Sequence, residues 1–222
     1  MLIDRRAFLS CAGAAVVQRP RLVAADERAF RTVIDTGGVA RIESGFSVGL
    51  NEARRTGELL GIDWSQAIRP ASWRQFRITA LPLEKTAASI RYSVRASTAA
   101  RARALEAWRR RHADGSAAAA VEWHPALEKF GGQQLNDRLT ATGRAPDSEM
   151  WAGWMAVKVV AEATARHRGP IDTATLLALT FDGHKGTPLR FDGADRHLRQ
   201  PLCIVSAQGR LLGTIDPNEV DS

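Results

Sequence analysis

The feature that most narrows the possible folds is an alternation between residues 76 and 170. Short β-branched or aromatic runs there take turns with Ala-rich stretches of helical spacing. Phe76-Arg77-Ile78-Thr79 and Ile90-Arg91-Tyr92-Ser93-Val94 read as strands, and the second alternates apolar with polar side chains, so it is expected to bury one face. Ser97 or Thr98 can cap the following helix, which runs to about His112 with Leu105 and Trp108 inward and ends at Asp114-Gly115. Residues 118–123 read as a short buried strand. Pro125 is expected to open a helix, loosened at Gly131-Gly132, that continues through Leu135 and Leu139 to Gly143. Asp147 caps the best-defined helix, which Gly169-Pro170 stops. Such alternation predicts an α/β fold with a parallel sheet flanked by helices.

The flanks extend this pattern. Upstream, residues 41–60 read as a helix with Phe46, Leu50, Ala53 and Leu60 near one face and Gly61 as its stop. Asp63, Pro70 and Trp73 mark turns after it. Downstream, a short helix at 173–179 precedes β-like pieces at 188–192, 200–206 and 210–215. Gln208-Gly209 makes a turn between the last two, predicting a C-terminal hairpin at one edge of the sheet. Parallel sheets of this kind bind ligands at the carboxyl ends of their strands, an edge expected to include Trp123-His124 and the loop after Val94.

Residues 1–25 carry the most specific short signal. Arg5-Arg6-Ala7-Phe8-Leu9 matches the twin-arginine export pattern. The moderately apolar stretch Cys11-Ala12-Gly13-Ala14-Ala15-Val16-Val17 follows, and Val23-Ala24-Ala25 is small enough for cleavage before Asp26. The other reading is an amphipathic N-terminal helix, which Gly13 and Pro20 weaken. Export places the mature protein in the periplasm.

Cleavage there removes Cys11 and leaves Cys203 alone, flanked by Leu202, Ile204 and Val205, as expected of an inert thiol on a buried strand. The net charge of +7 falls to +4 once residues 1–25 are set aside. The basic cluster Arg109-Arg110-Arg111 falls on the last turn of a helix, where cations favour the helix dipole and stay solvated. No nucleic-acid partner is expected.

The chain has no Gly-rich phosphate loop and no His or Cys pair at metal-ligand spacing. No enzyme activity, metal or cofactor is therefore expected. His184 in Asp182-Gly183-His184-Lys185-Gly186 reads as a proton carrier beside Asp182 or, more simply, as part of a polar turn. Trp123 and His124 either wall a ligand cleft or pack locally; Trp151 and Trp154 share a helical face, suited to core or to pocket wall.

Several stretches resemble one family, the type 1 periplasmic substrate-binding proteins of ABC importers, of the leucine/branched-chain amino-acid-binding type. Residues 130–144, Phe-Gly-Gly-Gln-Gln-Leu-Asn-Asp-Arg-Leu-Thr-Ala-Thr-Gly-Arg, resemble the family's helix that ends in Gly-Arg/Lys-x-Pro, here Gly143-Arg144-Ala145-Pro146. Residues 151–163 resemble its aromatic- and Ala-bearing helix. Phe181-Asp182-Gly183 through Gly186, then Leu189-Arg190-Phe191-Asp192, resemble its turn and strand. Residues 45–61 resemble its first helix. The tail Leu198-Arg199-Gln200-Pro201-Leu202 is most similar to a subgroup associated with PQQ-dependent alcohol oxidation.

The resemblance implies a type 1 binding-protein fold, a small-molecule ligand and a membrane permease as partner. Family members are longer and have two similar lobes. Here residues 26–96 would be a shortened remnant of the first lobe, and 97–222 a second-lobe-like α/β ligand-binding domain. No stretch matches the family's Ser/Thr loop for a ligand carboxylate, nor its acidic partner for an ammonium. The candidate ligand residues are Ser97, Trp123, His124 and Trp151. Three functions follow: a periplasmic component capturing a small polar or aromatic solute, a non-transporting interaction or sensor subunit accompanying an exported oxidation system, and, least favoured, an exported enzyme.

Overall fold

The computed structural model describes residues 33–60, 77–80, 91–113, 115–167 and 171–220. The export signal (Arg5, Arg6, Phe8, Leu9, Ala25), the turn markers Asp63, Pro70 and Trp73, and the helix stop Gly169-Pro170 lie outside the described residues. The fold is mixed α/β, with one small parallel sheet and two antiparallel ones.

Strands β1 (Val33–Asp35), β2 (Arg77–Thr79) and β3 (Arg91–Ser93) form the parallel sheet, in that order. A second sheet joins β5 (Phe181–Asp182), β6 (Pro188–Phe191) and β7 (Leu198–Arg199), all antiparallel. A parallel bridge between Ser93 and His197, with Ser93 N–H donating to Arg196 O at 2.9 Å, ties β3 to the start of β7. The two sheets thus run on as one surface. This is why β3 departs from the one-faced strand expected from its alternation. Tyr92, Ser93 and Val94 are all buried, because the bridge covers an edge and the core takes both sides.

The third sheet orders β4 (Ala117–Val121), β8 (Leu202–Ser206) and β9 (Leu211–Ile215), again antiparallel. The predicted C-terminal hairpin is present as β8 and β9, but it does not edge the parallel sheet. Instead it takes β4 for itself, and Trp123-His124 therefore leave the parallel sheet's carboxyl edge. The tail strand decides this: all five residues of β8 are buried, so it needs a neighbour on each side.

Helix α1 (Ala40–Leu60) lies against α4 (Ser148–Arg166). A Cβ on Gly45 would stand 1.8 Å from Met150 O, and one on Gly153 would stand 2.0 Å from Ile42 O. Backbone therefore meets backbone, and only glycine fits. Asp147 caps α4 as predicted, accepting from the N–H groups of Glu149 and Met150, and it also pairs with Arg41 of α1. Helix α2 (Thr98–His112) begins at Ser97, whose Oγ accepts from Ala100 N–H at 3.2 Å.

Helix α3 (Gly132–Thr140) starts seven residues later than Pro125 would place it. Phe130 and Gly131 both adopt positive φ, 56° and 83°, which breaks any helix running in from Pro125. Two short helices, α5 (Thr173–Ala178) and α6 (Pro217–Val220), complete the described elements.

The larger core cluster contains Ile42, Ile78, Tyr92, Trp123, Trp151, Trp154 and Phe181. A smaller one, with Ala104, Trp108, Leu202 and Ile204, lies between α2 and the β4–β8–β9 sheet. No described helix is long and apolar enough to cross a membrane.

Candidate functional site

A surface cavity of about 140 Å³ opens where the chain leaves β3 and enters α2. Ala96, Ser97 and Arg103 form one side, Asp195, His197 and Gln200 another, and Ile215 with Pro217 and Val220 of α6 the third. Small apolar side chains line its floor and charges of both signs its rim, so it suits a small amphipathic molecule. It is smaller than the roughly 300–1,000 Å³ of sites for drug-sized ligands. Helix α6 is held over it by Arg111 of α2, which donates to Glu219 Oε2 and to Glu219 O, each at 2.6 Å.

Behind the cavity lies a buried polar cluster. Glu122, at the end of β4, has no exposed surface and accepts from Arg95 Nε and Nη2 at 3.0 and 3.2 Å, from Ala96 N–H at 3.2 Å and from Arg101. Burial pushes the Glu122 carboxyl upward. The arginine pair, with a lesser contribution from Lys185, overcomes it and holds the group below its ordinary value. A carboxylate in that position is tolerated because it is multiply paired.

Lys185, half-buried, lies beside this cluster. Its Nζ donates to Gln200 Oε1 at 2.5 Å and to Pro201 O at 3.1 Å, and it lies 4.0 Å from the centroid of the Trp151 ring. Burial lowers its pKa to about 8. Gln200, itself buried, donates from Nε2 to Val94 O at 2.9 Å.

Of the four candidate ligand residues, Ser97 alone lines the cavity, where it also caps α2. Trp123 is 2% exposed, its Nε1 donating to Asn136 Oδ1 at 2.8 Å. Trp151 is fully buried, with Nε1 donating to Gly183 O at 3.2 Å, and its ring stacks on Trp123 at 6.3 Å. His124 sits apart at the hairpin turn, its Nε2 2.8 Å from Gly209 O while Nδ1 accepts from Ala126 N–H. The two tryptophans are brought together in the core, then, and neither they nor His124 line the cavity.

His184 belongs to the turn between β5 and β6 at φ 57°, stacked on Trp154 at 5.3 Å with Nδ1 3.5 Å from Asp182 Oδ2. Burial, aided by Lys158 and Arg138, lowers its pKa against the opposing pull of Asp182. Cys203 is buried, as its flanks predicted, and burial pushes its thiol up to about 11. The Arg109–Arg111 cluster is occupied locally: Arg109 donates to Ala117 O, Arg110 pairs with Glu106 and Arg111 with Glu219. No group of three or more potential metal ligands occurs among the described residues.

Arg95, Glu122, Lys185 and Gln200 were missed in the sequence. One signal was present. Glu122 follows directly on the apolar run of β4, and a carboxylate entering a core must find cations. In comparisons with known proteins, no family model and no curated protein sequence matches the chain.

Proposed function

We propose that this protein is the periplasmic solute-binding component of an ABC-type importer, exported by the twin-arginine route, and that it presents a small polar or aromatic molecule to a membrane permease. One observation carries the reading: the cavity lies at the carboxyl end of β3, lined by Ser97, where α/β sheets bind their ligands. The finer fold assignment belongs to the same proposal. It reads a type 1 binding-protein arrangement, with residues 26–96 left from a first lobe and 97–222 as the second, and the short parallel sheet β1–β2–β3 supports its α/β class.

Thermal-shift and calorimetric titration of the leaderless protein against amino acids, small acids and alcohols test it. Saturable stabilisation, weakened by Ser97→Trp in the cavity, is the expected result. A broad panel without any stabilisation would sink the capture reading. The second reading, an interaction or sensor subunit, is favoured by Phe130, which is 66% exposed on a loop of positive-φ residues. Co-purification of one partner, lost in Phe130→Ser, would support it.

A further inference from the structure

Lysine has three donors and no acceptor, whereas a glutamine amide has an oxygen that accepts and a nitrogen that donates. Lys185 reaches Gln200 from the β5–β6 turn, and its ammonium meets Oε1 at 2.5 Å. Turning the amide over would set N–H against N–H₃⁺ and leave Val94 O facing an oxygen, so the orientation is dictated by the partners on both sides. With Oε1 turned to Lys185, Nε2 gives one proton to Val94 O at 2.9 Å and the other to Leu198 O at 3.4 Å, a weak bond. Gln200 lines the cavity from its inner side. Its second N–H is therefore the group most easily released to an occupant, and a positive charge stands directly behind it.

We propose that Lys185 is a positioning residue for the cavity, fixing the Gln200 amide with oxygen toward the core and nitrogen toward Val94, so that the inner wall favours an occupant bringing an oxygen acceptor over one bringing an ammonium. The inference rests on the cavity being the solute site. The groups facing the ammonium are Glu122 from the end of β4, Arg95 from the loop after β3 and Cys203 from β8, with the Trp151 ring of α4 against it. Glu122 is already paired with Arg95 and Arg101, which leaves Gln200 and Pro201 as the direct acceptors of Lys185.

The test reads the Gln200 side-chain amide by nitrogen-15 NMR in the full chain, assigned through its disappearance in Gln200→Glu. In the native protein its resonances should shift with a single ionisation near pH 8. Lys185→Arg should keep the neutral-pH position and lose that ionisation. Lys185→Met should lose both while the Asn136 side-chain amide stays put. Unchanged Gln200 resonances in Lys185→Met, or an ionisation that persists in Lys185→Arg, would overturn the proposal; if the Met variant does not fold, the Arg comparison decides alone. Propionate and propylamine then serve as matched probes. Propionate should perturb the Gln200 resonances saturably, at least tenfold more tightly than propylamine, and the reverse order would overturn the acceptor preference. If neither probe nor any other solute perturbs them, the solute-binding reading falls while the resonance comparison still judges Lys185.

Discussion

Replacing Gly153 by alanine tests the packing on which the larger core depends. The added Cβ would stand 2.0 Å from Ile42 O and 2.8 Å from Phe46 N, against the 3.4 Å at which ordinary contact begins. Both obstacles are backbone atoms of a helix, so no side chain can swing aside. Helices α1 and α4 must part by about 1 Å or more, and a gap of that size forfeits a quarter to a half of the dispersion energy along the seam. Overpacking of this kind costs about 1–3 kcal/mol and occasionally more, while alanine's better helix propensity returns about 1 kcal/mol. Because both clashing atoms are backbone, the cost lies at the upper end of that range, and net destabilisation of roughly 2 kcal/mol is expected, read as a lower urea midpoint at unchanged slope. Gly115→Ala, with nothing within 4 Å of the added carbon, is the control and should be near neutral. Adding Gly45→Ala to Gly153→Ala should cost less than the sum of the single changes, because the helices are already apart. A Gly153→Ala protein as stable as the native one, or strict additivity of the pair, would refute the reasoning.

Three further outcomes follow from the same geometry. Trp123→Ala should lose about 3–5 kcal/mol in denaturant unfolding, since it empties a core site and leaves Asn136 Oδ1 without its partner. The folded Glu122 carboxyl sits below its ordinary 4.5, so its contribution is fully present above that value and disappears as pH falls further; Glu122→Gln, less stable at pH 7, should show a flatter acid limb in melting temperature against pH. His184, a base whose pKa is lowered in the fold, gives stability that is present above 6.5 and declines as pH drops below it. His184→Gln should remove that part of the profile, and an unchanged slope between pH 7 and 5 would count against it.

Local chemistry was readable in the sequence, and long-range pairing was not. Ser97 and Asp147 cap α2 and α4 because Ser and Asp side chains reach the first free N–H groups of a helix whatever the surroundings. The hairpin of β8 and β9 was equally legible, since its turn is encoded between its strands. Its neighbour was not. Whether the hairpin edges the parallel sheet or pairs with β4 depends on partners some eighty residues apart, as Val121 and Cys203 are. The late start of α3 was hidden because a phenylalanine carries no local signal for positive φ, the conformation that Phe130 adopts just before Gly131. At the site, Ser97 was singled out by its place in the loop after the strand read at 90–94, and it lines the cavity. Lys185 and Gln200 were not, because a lysine between glycines reads as solvent-exposed until the fold closes over its ammonium.

The bridge between Ser93 and His197 has a consequence for how the chain is made. On a ribosome, β3 emerges roughly a hundred residues before the segment that covers its edge. Until then the Ser93 N–H, which donates to Arg196 O in the folded chain, has yet to meet that acceptor and can be taken by a passing strand. The nascent protein is thus exposed to strand mispairing at Ser93 during that interval, and truncation before Arg196 would make the exposure permanent.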